Sequence, residues 1–228
     1  MKGHTNSASG TKAIGNINKC AITVEYPAGY TCVLTQGTRV FEAPSGGTSY
    51  TFHVDYGTWE AICSDGIFEY KDSVTLNNGE SAKLILGKFL ILESPSSFTL
   101  TPGDGTMPGK DGTLEYSTNA STWTAWDEVA ELTAGSYHDK YVLYLRGTGN
   151  TKLTGDSGGG SVGNRGWHIT GSNVTVKGNI ATLLDWQTVA AGSLPTISRG
   201  AFAFLFGHAT NSPGTALKYA HELVIPYD

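Results

Sequence analysis

From Cys20 to Leu86 the chain runs in short stretches of alternating apolar and polar residues, each closed by a turn signal. That pattern restricts the fold more than any other feature, because successive side chains of an extended strand point to opposite faces. Cys20-Ala-Ile22-Thr-Val24-Glu-Tyr26 alternates and then meets Pro27-Ala28-Gly29. Tyr30 to Thr35 and Arg39 to Glu42 predict a hairpin across Gln36-Gly37, and Tyr50-Thr-Phe52-His-Val54 alternates again. Tyr56-Gly57 turns the chain into Trp59-Glu-Ala61-Ile-Cys63. Ser64-Asp65-Gly66 is a hairpin signal leading into Ile67 to Leu76, and Asn77-Asn78-Gly79-Glu80 turns once more before Ala82-Lys-Leu84-Ile-Leu86.

About seven short strands with turns every ~8–12 residues predict a small antiparallel sandwich of immunoglobulin-like type. Glycine, at 30 of 228 residues, is well above its usual ~7% share, as tight turns require. Trp59 is expected to plug the sandwich core rather than to serve as an exposed ligand platform.

Ser94-Pro95-Ser96-Ser97 breaks an apolar run, so the boundary is placed in Leu90 to Pro95. The chain then divides into an N-terminal arm (1–19), an immunoglobulin-like sandwich (20–89) and a second β-rich domain (90–228). In the second domain Phe98-Thr-Leu100, Leu114 to Ser117, Thr122 to Trp126 and Tyr141 to Leu145 read as strands. Trp167-His-Ile169 and Val174-Thr-Val176 read as a last hairpin around Gly171-Ser172-Asn173. Short helices are expected only near the C-terminus. Asn179 to Asp185 spaces apolar residues three and four apart with Asn179 as N-cap, and Ala201 to Phe206 is a short apolar turn. The fold class is therefore mainly β.

Charged residues make up 15% of the chain and the net charge is −5, with no basic stripe, which argues against nucleic acid as a partner. No apolar run is long enough to span a membrane as a helix. The polar arm carries no apolar segment of the secretory kind, so synthesis in the cytoplasm is expected. Cys20, Cys32 and Cys63 match neither a metal site nor a redox pair and read as small buried hydrophobes. A Cys32–Cys63 bridge stays open as the alternative.

Chemistry-bearing motifs are weak. Gly155-Asp156-Ser157-Gly158-Gly159 matches the nucleophile pentapeptide of trypsin-like proteases, and His53, Asp104 and Ser157 fall in that family's order. Yet His53 sits in a plain alternating strand and Ser157 in a glycine run, which is not how such a triad is held. The six histidines show no zinc-like spacing, and Asp104-Gly105 and Asp111-Gly112 lack the carboxylate series of a calcium loop. Gly109-Lys110 lacks phosphate-loop spacing. Asp127, Glu128 and Glu131 read as solvated carboxylates rather than a glycosidase pair. No catalytic residue, metal or cofactor is expected.

The aromatic set is the better candidate. Tyr116, Trp123, Trp126 and Tyr137 are proposed ligand contacts, with Tyr141 and Tyr144 in the same group. Trp123 and Trp126 stand three apart, so in a regular strand they face opposite sides, one packing the core and one meeting solvent. An exposed aromatic beside Asn and Asp suits a sugar face.

Two stretches carry a resemblance. Cys20 to Lys88, with Pro27-Ala-Gly29, Thr58-Trp-Glu-Ala61 and Ser64-Asp-Gly66, resembles small immunoglobulin-like modules of phage structural proteins. Leu114 to Trp126, Leu145 to Asn150 and Gly178 to Asp185 resemble the β cap that precedes the repeats of BspA-type leucine-rich surface proteins. Ala201 to Phe206 and Ala220 to Leu223 resemble part of one such repeat, after which the array stops. The resemblance implies a non-catalytic virion surface protein of a tailed phage, a capsid decoration or a head or tail fibre. Its implied partners are phage capsid or tail proteins and host-surface or mucus glycans, with homo-oligomerisation open. The alternative is a bacterial cell-surface adhesin or carbohydrate-binding protein.

Overall fold

A computed structural model describes residues 19–101, 111–126, 131–153, 167–198, 200–202, 205–206 and 217–225 of the 228-residue chain. The described residues are mainly β, with seventeen strands and one helix.

The first seven strands are β1 (Cys20–Glu25), β2 (Thr31–Gln36), β3 (Arg39–Glu42), β4 (Ser49–Val54), β5 (Gly57–Ser64), β6 (Glu69–Leu76) and β7 (Ser81–Ile85). They form two sheets, β4-β1-β7 and β3-β2-β5-β6, with β1 and β7 parallel. The strand number is that of the constant-type immunoglobulin sandwich. The pairing differs, since β1 joins β4 and β7 where that arrangement joins its first strand to its second. Alternation does its expected work: β6 is buried at every second residue. Ile22, Val24, Leu34, Trp59, Leu76 and Leu84 are all within 2% of full burial. Trp59 is wholly inside, and its Nε1 donates to the Asp55 carbonyl at 2.9 Å, so its one polar atom is satisfied.

The second unit is built on a seven-stranded sheet. Its strands are β8 (Leu90–Ser94), β10 (Thr113–Ser117), β11 (Thr124–Ala125), β13 (Gly135–Tyr137), β14 (Lys140–Thr148), β16 (Val174–Asn179) and β17 (Leu217–Val224). The order is β11-β10-β14-β8-β16-β17, with β13 also on β14. Leu90 to Pro95 is mostly β8, at the middle of this sheet between β14 and β16. A strand covered on both faces is a continuous apolar run, Leu90-Ile-Leu92, which by pattern alone resembles a linker's edge as readily as a core strand.

A small sheet of β12 (Leu132–Thr133), β9 (Thr99–Thr101) and β15 (His168–Thr170) faces the large one. The hairpin expected around Gly171 does not form: β15 pairs with β9 while β16 pairs with β8. The chain there crosses between sheets, a choice set by burial on the two faces and not by the local turn.

Helix α1 (Thr182–Ala190) has its N-cap at Ala181, two residues later than the expected N-cap Asn179, and runs five residues past Asp185. Asn179 ends β16 and its Oδ1 accepts from the Ala181 amide, while no side chain caps the helix start at Ala181. Asp185 is non-helical (φ −151°, ψ 99°), and its Oδ1 accepts from the amides of Gln187 and Thr188 as an internal cap. The helix packs on β14 so closely that Gly147 is obligatory there. A Cβ on Gly147 would lie 1.7 Å from the Leu183 carbonyl oxygen.

The two units share a buried junction. The open side of the sandwich, between edge strands β6 and β7, is closed by the large sheet. Asp72 of β6 meets Lys140 Nζ at 2.6 Å and Lys177 Nζ at 2.8 Å through one oxygen, and Glu93 pairs with both lysines at 2.7 and 2.9 Å. Burial pushes the Asp72 carboxyl up, but the two ammonium groups outweigh it and hold the group at about 2. Burial likewise disfavours charge on both lysines, yet Asp72 and Glu93 leave each above its ordinary value.

Candidate functional site

The four aromatic residues proposed as ligand contacts go to four different places. Tyr137, on β13, turns its hydroxyl onto edge strand β7. The hydroxyl donates to the Lys83 carbonyl at 2.8 Å and accepts from the Lys83 amide at 2.7 Å. An edge strand carries unpaired backbone groups, and Tyr137 satisfies two of them, so it clips the units together.

Trp126 is 1% exposed and packs against Trp167, tilted by 54° with 5.3 Å between centroids, inside the main core of the second unit. Neither ring is open to a ligand. Trp123 lies in another cluster, against Phe89 at 4.6 Å, with the Arg146 guanidinium 3.9 Å from its ring centroid. Arg146 also covers Trp186 at 4.5 Å, and its Nε donates to Glu115 at 2.7 Å. Trp123 and Trp126 flank the two-residue strand β11 and pack into separate clusters. Trp123 spends its ring face on Arg146 and offers no free stacking platform. Tyr144 is buried at the junction and half-buried Tyr141 packs on the main core.

Tyr116 is the one that lines an opening. It lies on β10 opposite Thr124 and Leu145, half-buried against the main core. Beside it is a groove of about 530 Å³ bordered by Thr118, Asn119, Thr122, Thr124 and Glu131. The wall is held rigidly by turn chemistry. Asn119 Oδ1 accepts from the amides of Ser121 and Thr122 at 2.9 Å each and from Ser117 Oγ at 3.1 Å. Ala120 takes a left-handed φ of 55° to close the turn. A half-buried phenol with hydroxyls and one carboxylate around it can stack on a flat apolar face and exchange hydrogen bonds with a polyhydroxylated rim. Ser117-Thr-Asn-Ala-Ser-Thr122 carries this wall in the sequence. Alone it reads only as a polar turn, because nothing local says that a ring and a second strand will stand beside it.

Of the protease-like order only His53 lies among the described residues. His53 is exposed on β4, while Asp104 and Ser157 lie outside the described residues, as do Asp127 and Glu128. Among the described residues no group of three or more His, Cys, Asp and Glu side chains converges as a metal site. No helix among them is long and apolar enough to cross a membrane. All three cysteines are buried and free. Cys32 and Cys63 stand directly opposite each other on β2 and β5, within one sheet rather than across the sandwich. The contact with Cys32, reinforced by burial, pushes the Cys63 thiol up, which keeps it protonated and unreactive.

No protein-family model matches the chain, and no curated protein matches it.

Proposed function

We propose that this chain is a non-catalytic surface protein of a tailed-phage particle, a capsid decoration or a head or tail fibre, that docks through its N-terminal part and presents its second unit to host-surface or mucus glycans. The observation that carries the binding half is the Tyr116 groove, where one ring and a rigid hydroxyl-bearing turn converge in a space of about 530 Å³. Such a surface suits a neutral sugar better than an anion, because the described residues bordering it include the acidic Glu131 and no basic side chain. The particle half rests on the likeness of Cys20 to Lys88 to phage modules.

Two measurements test it. In the first, the chain is screened on a glycan array and hits are followed by calorimetry with the wild type and Tyr116→Ala. Loss of a stacking ring is expected to weaken binding about tenfold, equivalent to ~1.4 kcal/mol. The second is mass spectrometry of purified virions, in which the polypeptide is expected at fixed stoichiometry to the major capsid protein. Absence from virions with presence on the bacterial envelope would sink the particle reading. Binding unchanged in Tyr116→Ala would sink the groove.

A further inference from the structure

A second opening lies where the loop after β1, the β5–β6 hairpin and the end of α1 meet. It is a crevice of about 240 Å³ walled by Tyr30, Phe68, Tyr70 and Val189, with Asp65 at its rim and Asn179 at its base. Its position between two packed units is a common one for binding sites. The walls are fixed: the Ala28 amide donates to the Ala190 carbonyl at 3.0 Å, tying the loop to the helix end. Tyr30 and Tyr70 pack with centroids 5.5 Å apart, and Asn179 Nδ2 donates to the Tyr70 hydroxyl at 3.1 Å.

The charge in this crevice is one-sided. Asp65 Oδ1 accepts from the amides of Ile67 and Phe68 at 2.9 and 2.7 Å, and the Tyr30 hydroxyl lies near this carboxylate. Partial burial pushes the carboxyl up. The two amide donors and Tyr30 outweigh it and hold the group below its ordinary range, so it is ionised at neutral pH. Among the described residues no lysine, arginine or histidine borders the crevice, and Asp65 has no ion pair. A fixed negative charge beside three aromatic rings, with no cation among the described lining residues, is complementary to an organic cation. The volume is below the ~300–1,000 Å³ of drug-sized ligand sites, so it suits one side-chain head group. A planar, weakly hydrated guanidinium can lie against the rings and still reach a carboxylate, which a compact and strongly hydrated ammonium does less well.

We infer that the Tyr30–Phe68–Tyr70–Asp65 crevice is a socket for an arginine side chain presented by a partner protein. It involves different elements from the Tyr116 groove and stands or falls independently of the glycan reading.

The test is an NMR titration of the full chain with N-acetyl-arginine amide and with its neutral isostere, N-acetyl-citrulline amide. Saturable shifts of the Tyr30 and Phe68 ring signals are expected with the arginine ligand, and citrulline should bind at least tenfold more weakly. Asp65→Asn keeps a carbonyl acceptor for the Ile67 and Phe68 amides and should weaken arginine binding at least tenfold. The wild-type comparison of the two ligands stands even if that variant folds poorly. No saturable shift with arginine, equal binding of citrulline, or undiminished binding in a folded Asp65→Asn protein would each overturn the assignment.

Discussion

Asp72→Asn is the perturbation to which this structure is most sensitive. The substitution preserves size but leaves Lys140 and Lys177, whose side chains are 14% and 4% exposed, facing Glu93 alone. Removing one partner from a buried ionic group costs about 3–5 kcal/mol, because the remaining charge is left uncompensated. Against a total stability of about 5–15 kcal/mol this is a large share. For a chain of this size it corresponds to roughly 6–20 °C in Tm. Urea unfolding at pH 7 measures it without screening the charges.

The wild type carries a second signature in its pH dependence. A carboxyl held at about 2 in the folded state and 3.8 in the unfolded state contributes roughly 2–3 kcal/mol above pH 4. The folded value is depressed, so that contribution is lost as pH falls from about 4 to about 2, and Asp72→Asn should flatten the wild type's acid limb in that window. The paired variant Asp72→Leu/Lys177→Met removes one acid and one base together and should recover most of the loss, with a coupling above about 2 kcal/mol. A single-variant cost under about 1 kcal/mol, or additive effects in the pair, would refute the view that these charges bind the two units together.

Three other outcomes follow from packing. Trp59→Phe removes ring volume and the donor to the Asp55 carbonyl and should cost about 2 kcal/mol in the same urea assay, while a change under ~0.5 kcal/mol would contradict full burial. Gly147→Ala puts a methyl against the Leu183 carbonyl and should cost about 3 kcal/mol, with α1 displaced from β14 in a crystal structure of the variant. Cys20, Cys32 and Cys63 should give no thiol reaction with a bulky aromatic disulfide reagent in the folded protein and three equivalents in denaturant; reaction of the native protein would show that the sandwich opens.

Period-two alternation and turn chemistry are local properties, and they are what the amino-acid sequence settled alone. The seven strands from Cys20 to Ile85, the burial of Trp59 and the β-rich class could all be read there, because each depends on neighbours a few residues away. Which strand pairs with which was decided by tertiary structure. β1 chooses β4 and β7, β15 turns to β9, and Leu90–Ser94 becomes a central strand, since pairing is a contest among faces that must all be buried at once.

The same holds for the sites. Tyr116, Trp123, Trp126 and Tyr137 look alike as a string of aromatics, and only packing divides them into groove, cation stack, core and clip. Asp72, Lys140 and Lys177 read as ordinary strand charges, separated by 68 and 105 residues from first to second and first to third. Their meeting, like the arrival of Asn179 beside Tyr70, exists only because the large sheet packs against the first unit, whereas Tyr30 and Asp65 are brought together by the β2–β5 register.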